Sequence, residues 1–251
     1  LTNNRTTSSI GPVTTSGLLS LTNTGSITLV GGLSVGTALS FNTGGTVSQD
    51  AAASFTANTL ALNGSGGTYM LANAGNSFAS VTATTGSITL ANSGTTSTGA
   101  ITTTGGIQLT SAGNLSVNGA LVFGGSSSLS SQNNVTVNSA ISKSSGAAAT
   151  LALTAQNRVA LTQSIGSASG ALNVMLSSGS GGIGVNGTIN TSGGSLALIS
   201  NGNVTQSTAF TAGALSLDGS NGAYTLTNAG NDFTSLTGTT GSISLVKGTT
   251  S

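Results

Sequence analysis

Apolar and polar residues alternate in short runs along most of the chain. A period of two predicts β-strands with one buried face, because successive side chains of a strand point to opposite sides. Gly, Asn and Ser separate the runs and supply the conformations that tight turns need. The pattern therefore predicts an all-β chain. The clearest runs are GSITLV (25–30), GIQLTS (106–111), NLSVNGAL (114–121), NVTVNSAI (134–141) and SLALIS (195–200).

The spacing of the strands carries more information than their alternation. Apolar residues that end successive strands recur about every 20 to 24 residues, a period typical of a solenoid, whose coils bury their apolar faces only by stacking. We expect a right-handed parallel β-helix (β-solenoid) with about 20–24 residues per coil and about eleven coils. An antiparallel sandwich with strands every 8–12 residues stays open as an alternative. The residues used for the spacing are Ile101, Leu121, Ile141, Ile165, Ile189 and Phe210.

Part of the chain is duplicated. Residues 57–96 align with 212–251 at a constant offset, within what we interpret as one continuous segment, 1–251. The copies share apolar positions and the turn sequences NAGN and TTGS, but not their acids: Asp218 is opposite Asn63, and Asp232 is opposite Ser77. Retention of core and turns without the reactive side chains indicates a scaffold. At about 22 residues per coil, the offset predicts a unit of about seven coils.

The amino-acid composition argues against several classes of function. Only 3% of the 251 residues are charged, the net charge is +1, and the chain has no His, Cys or Trp. This charge is too sparse for a nucleic-acid footprint or for binding to an anionic membrane. Without Cys there is no disulfide framework. The sequence has no visible signal peptide and ends within the second copy, so we interpret it as a segment of a longer polypeptide.

No catalytic, cofactor-binding or metal-binding residue is predicted. The spacing G-x-G-x-x-G in 179–184 follows no βα crossover, and GGIGVN (181–186) places Asn186 where a calcium site needs Asp. Both are interpreted as a turn. Asp218 and Asp232 lack a His partner for acid–base chemistry, and Lys143 is expected in a polar turn, where it would keep its proton.

Paired threonines suggest one further possibility, an ice-binding array. Thr82 and Thr84 precede Thr102 and Thr104 by one coil of about 20 residues, which predicts that the pairs stack in register. One more step of the same length reaches Val122 and Gly124. The array therefore ends after two coils, and ice binding is not favoured.

The runs GNLSVNGAL, NNVTVNSAI and GNVTQSTAF, punctuated by LTNAGNDF, resemble the central regions of filamentous-haemagglutinin-like exoproteins. These are large adhesins that Gram-negative bacteria release by two-partner secretion, and the resemblance extends from about Gly17 to Leu245. It implies a right-handed parallel β-helix, export through an outer-membrane transporter, and a role as an adhesive or spacer fibre. Passenger domains of some autotransporters share the same style.

The expected function is a structural or adhesive shaft segment of a secreted bacterial cell-surface exoprotein, without catalytic activity. Its partners would be host-cell, matrix or neighbouring-cell surfaces, met through other regions of the parent protein, and no nucleic acid. The expected location is extracellular, at the bacterial cell surface. The alternative is a self-assembling extracellular fibre or sheath subunit that associates end to end through unpaired coil edges.

Overall fold

The computed structural model describes residues 2–3 and 5–248, and these residues form 28 β-strands and no helix. The first fourteen strands are β1 (Thr2–Asn3), β2 (Thr7–Ile10), β3 (Val13–Thr15), β4 (Leu19–Asn23), β5 (Ser26–Leu29), β6 (Leu33–Val35), β7 (Ala38–Asn42), β8 (Thr46–Gln49), β9 (Phe55–Thr56), β10 (Thr59–Leu71), β11 (Ser80–Asn92), β12 (Thr96–Thr103), β13 (Ile107–Ser111) and β14 (Leu115–Val117). The others are β15 (Leu121–Phe123), β16 (Ser127–Ser131), β17 (Asn134–Val137), β18 (Ile141–Lys143), β19 (Ala149–Ala155), β20 (Arg158–Leu161), β21 (Ile165–Ser167), β22 (Leu172–Ser178), β23 (Gly182–Val185), β24 (Ile189–Asn190), β25 (Ser195–Ser200), β26 (Val204–Gln206), β27 (Phe210–Leu226) and β28 (Asp232–Leu245).

The strands lie on three faces of a β-solenoid, and every pairing between named strands of the described residues is parallel. Long strands bend around a corner and contribute to two or three faces. Face A contains β1, β4, β7, 59–63, 80–85, 101–103, β15, β18, β21, β24, 210–211 and 232–233. Face B contains β2, β5, β8, 68–71, 87–92, β13, β16, β19, β22, β25, 214–219 and 235–240. Face C contains β3, β6 and β9, then 96–98, β14, β17, β20, β23, β26, 223–226 and 242–245.

The predicted stacking of strand-ending residues is confirmed. The six residues used for the spacing argument pair one above the next along face A. The step from Ala83 to Ile101 is shorter than the predicted coil, whereas the step from Ile141 to Ile165 lies at the upper limit of the prediction. About eleven turns result, which at roughly 4.8 Å per strand make a rod about 50–55 Å long. The fold is thus the predicted parallel solenoid, and the antiparallel sandwich is wrong.

The core is one continuous column of inward-pointing side chains. On face B eight leucines pair directly with one another through successive coils, and all are buried. Each leucine covers the leucine of the coil below it. A single coil could not bury its own leucine, because burial requires a neighbouring coil. The ladder consists of Leu71, Leu90, Leu109, Leu129, Leu153, Leu176, Leu198 and Leu217.

The offset between the two copies is not a whole number of coils. From Leu62 on face A, seven parallel steps lead to Phe210, and Leu217, which is equivalent to Leu62 in sequence, lies one strand further on, in face B. The unit of about seven coils is therefore seven and one third turns long. Equivalent segments of the copies lie on neighbouring faces.

A tight corner is kept in both copies despite this rotation. Gly64 and Gly219 have φ angles of 130° and 143°. A Cβ atom at these positions would lie 2.0 Å from the carbonyl oxygen of Thr43 or 1.8 Å from that of Ser200. Only glycine fits, because both the conformation and the space exclude a side chain.

Candidate functional site

The carboxylates lie far apart in the fold. Asp50 follows β8, Asp218 is exposed on face B, and Asp232 begins β28 on face A. Asp218 pairs with Ile199 and Thr239 on face B, whereas Asp232 lies on face A. The two acids are therefore on different faces although they are close in sequence. Among the described residues no group of three or more Asp or Glu side chains is placed to hold a metal ion.

Lys143 differs from its predicted position. It is the last residue of β18, not part of a polar turn, and its side chain is fully buried. Its Nζ donates to the carbonyl oxygen of Gly146 at 3.1 Å and to that of Ser169. The ammonium thus joins the two loops that lengthen the coils at this level of the rod. Carbonyl dipoles stabilise its charge in place of a carboxylate.

The glycine-rich segment 179–186 is only partly a turn. Residues 182–185 form β23, which pairs with β20 and β26, so the prediction of a turn is wrong for this half. Gly182 has a φ angle of 80°, which allows the chain to enter the strand from the turn before it.

The threonine pairs do not stack as predicted. Thr84 pairs with Thr102, because this coil is shorter than the predicted 20 residues, and Thr102 pairs with Val122. The four threonines are exposed, but the predicted correspondence of Thr82 with Thr102 is wrong. The register inferred from spacing alone is therefore in error by two residues. A bulge near Gly99 also inserts one extra residue between Thr98 and Ile101.

The asparagine that ends each NAGN turn bonds to a half-buried glutamine that lies just before its copy. Each pair is here called the amide corner: Gln49 with Asn76, and Gln206 with Asn231. Nδ2 of Asn76 donates to Oε1 of Gln49 at 3.1 Å, and Nε2 of Gln49 donates to Oδ1 of Asn76 at 2.6 Å. The second pair makes the same reciprocal bonds. Both asparagines are fully buried.

Sequence comparison missed the glutamines of the amide corner. The segment between the glutamine and the asparagine is shorter in the second copy, so the offset that aligns Asn76 with Asn231 does not align Gln49 with Gln206. The constant offset instead aligns Gln49 with Val204, which lies two residues before Gln206 in β26. The sequence feature that could have revealed the amide corner is the asparagine that ends each NAGN turn. From sequence alone, this asparagine is interpreted only as a turn residue.

The two tyrosines close the corners formed at Gly64 and Gly219. The hydroxyl of Tyr69 donates to the carbonyl oxygen of Asn63, and that of Tyr224 donates to the carbonyl oxygen of Asp218. Burial raises the pKa of Tyr69 to about 12 and also raises the pKa of Tyr224, because an ionised phenol would lose its hydration. These groups are structural hydrogen-bond donors.

Face C carries ladders of asparagine side chains along its two margins. On one margin, Nδ2 of Asn134 donates to Oδ1 of Asn114 at 3.0 Å, and Nδ2 of Asn157 donates to Oδ1 of Asn134 at 2.8 Å. On the other, Nδ2 of Asn138 donates to Oδ1 of Asn118 at 2.9 Å. Asparagine ladders thus join successive coils at the ends of the face C strands.

The comparisons with known proteins agree with a repeat architecture. The fold defines the chain as a β-solenoid repeat protein. A family model described as repeats of unknown function (DUF5649) matches residues 29–85, which include the first amide corner. No curated protein and no solved structure matches the chain. No helix in the described residues is long and apolar enough to cross a membrane.

Proposed function

We propose that the chain is a structural or adhesive shaft segment of a secreted bacterial cell-surface exoprotein of the filamentous-haemagglutinin-like type. The supporting observation is what the duplication retains. Both copies keep the apolar ladders, the corner glycine and tyrosine, and the amide corner, whereas Asp218 and Asp232 have no counterpart. A chain that repeats only its supporting structure is suited to hold other regions at a distance.

The architecture fits such a role mechanically. Neighbouring coils are joined by parallel backbone ladders on all three faces and by the leucine ladder within. Because few charges contribute, the rod depends little on the pH or ionic strength around it. In this proposal the segment is extracellular and reaches the surface through an outer-membrane transporter. Other regions of the parent protein meet host-cell, matrix or neighbouring-cell surfaces.

The experiment that tests the shaft is a replacement. In the parent protein on intact cells, residues 1–251 are exchanged for an unrelated solenoid of about eleven coils, and surface display and attachment are measured separately. The proposal predicts that both persist. Loss of attachment with normal display would contradict a spacer role and place recognition within the segment.

A further inference from the structure

Face C contains a polar groove that the shaft role does not use. Its floor is a row of small outward-facing residues that pair through four successive coils: Ser116, Thr136, Ala160 and Gly184. The ladder of Asn114, Asn134 and Asn157 lines one margin, and Asn118 and Asn138 flank the opposite ends of β14 and β17. Around β14, β17 and β20 the depression has a volume of about 410 Å³. We call it the asparagine groove.

The margins of the groove offer hydrogen-bond donors on two successive coils. Each Nδ2 that donates to the next asparagine has a second hydrogen, so Asn134, Asn138 and Asn157 each retain a donor beyond the ladder. Ladder bonds hold these amides in fixed positions at the strand spacing of about 4.8 Å. The groove therefore presents a regular series of preorganised amides along the axis of the rod.

Arg158 adds one positive charge to this uncharged series. It is exposed at the start of β20 and pairs in register with Asn134 and Gly182. Its guanidinium lies across the floor: a Cβ atom at Gly184 would be 3.3 Å from Nη2 of Arg158 and 3.6 Å from Nδ2 of Asn186. Gly184 is buried although its position faces outward. No acidic residue is present between Asp50 and Asp218 in the chain.

We propose that the asparagine groove binds an acidic glycan, a polysaccharide rich in hydroxyl groups that carries widely spaced carboxylates. The amides and hydroxyls of the groove pair with sugar hydroxyls, and the planar fork of Arg158 pairs with a carboxylate through two parallel hydrogen bonds. A polymer that lies along the rod meets amide donors on successive coils and then Arg158. This contact on the rod is separate from attachment through other regions of the parent protein, so exchange of the segment should still preserve attachment to surfaces without acidic glycans.

The charge density of the groove selects against denser polyanions. Duplex DNA carries one phosphate charge per roughly 1.7 Å of its axis, and its affinity depends on several lysines or arginines in contact at once. The groove has a single arginine in a chain with four basic residues in total. A ligand with many hydroxyls and few charges matches it better than a nucleic acid or polyphosphate does.

The test is a direct binding measurement with the purified chain. The probe is an oligosaccharide of alternating uronic acid and N-acetylhexosamine, and its methyl-esterified form is the uncharged control ligand. We expect saturable binding of the acid form, at least tenfold weaker binding of the ester, and a loss of about tenfold or more for Arg158→Gln. Arg158→Lys keeps the charge without the fork and should be intermediate.

Two further variants separate the groove from general charge. Lys247→Gln lowers the net charge equally at a distant exposed position and should bind like the wild type. Ala160→Phe fills the floor while leaving Arg158 in place and should abolish binding, with an unchanged unfolding midpoint as the check on folding. Absence of binding, equal binding of the ester, equal loss in Lys247→Gln, or tighter binding of single-stranded DNA through Arg158 would each overturn the proposal.

Discussion

Thr98 places a hydroxyl in the apolar core without a partner. It is fully buried on face C, pairs with Val117, and its Oγ1 has no hydrogen bond. Valine has nearly the same shape and no polar atom to desolvate. We predict that Thr98→Val raises the free energy of unfolding by about 1 kcal/mol. Denaturant titration measures the change, with the exposed Thr102→Val as control. A loss of stability would mean that the hydroxyl is paired in solution.

Tyr69 should make the stability of the folded state depend on pH above about pH 10. Its pKa is raised from 10 to about 12 by burial, so the folded state keeps the proton that the unfolded state begins to lose near pH 10. Its stabilising contribution is complete below pH 10 and is lost as the pH rises toward 12. Without His, and with only three Asp, stability should be nearly constant from pH 5 to 8.

The measurement is the unfolding free energy as a function of pH. Tyr69→Phe should reduce the downward slope between pH 10 and 12, because Tyr224 alone then contributes to it. An unchanged slope would show that the raised pKa of Tyr69 is not the cause.

A substitution of Asp218 tests whether its carboxylate contributes to the stability of the fold. The first copy has Asn63 at the equivalent position, and Asp218 is exposed on face B. Asp218→Asn should change the unfolding free energy by less than about 0.5 kcal/mol. The comparison is Leu215→Ala on the same strand. A loss as large as that of the leucine variant would show that the scaffold interpretation of this position is wrong.

Individual side chains were the least predictable part of the molecule. Lys143 was expected in solvent because lysine is rarely buried, and its carbonyl acceptors come from loops whose stacking no local pattern specifies. Arg158 was not predicted as a site residue for a similar reason. Its importance depends on Gly184, which lies in the next coil and is therefore distant in the sequence.

At the scale of the element, the leucine ladder of face B should carry much of the stability. Leu153 lies at its centre in β19, fully buried between Leu129 and Leu176. Leu153→Ala should cost about 2–5 kcal/mol, because it leaves a cavity between coils that cannot move together without breaking the ladders. Thr154→Ala, outward on the same strand, is the control. Equal effects at both positions would contradict an inward-outward division of β19.

Strand periodicity predicted most of the strands, but it did not predict the corners between them. The alternation over 134–141 predicts the correct inward set, because the buried face alone determines the pattern. The amide corner depends on a loop whose length changes between copies, and the bulge near Gly99 shifts the register by one step. Such features arise from stacking against the next coil.

At the scale of the whole molecule, the offset of seven and one third turns determines which face of the rod carries each copy of a motif. A motif carried by one copy reappears on the neighbouring face, so the two amide corners point in different directions around the rod. The offset between the copies is visible in the sequence itself. The fraction of a turn is not, because coils of unequal length contribute to the offset.

The central claim is that stability comes from coils stacked in phase, and a pair of deletions tests it most directly. Removal of residues 122–141 takes out one coil, since Leu121 pairs with Ile141, and brings Ile165 above Leu121. Removal of residues 122–131 takes out half a coil. It deletes β16 of face B, so that β17 of face C follows Leu121 where the coil requires a face B strand.

The thermal unfolding midpoints of the two deletions decide the matter. The account predicts that the longer, in-phase deletion unfolds cooperatively within about 4 °C of the wild type, a shift of about 1 kcal/mol in a chain of this size. The shorter, out-of-phase deletion should lower the midpoint by several times that amount or prevent folding. If the shorter deletion proved the milder of the two, the stacked-coil account would be contradicted.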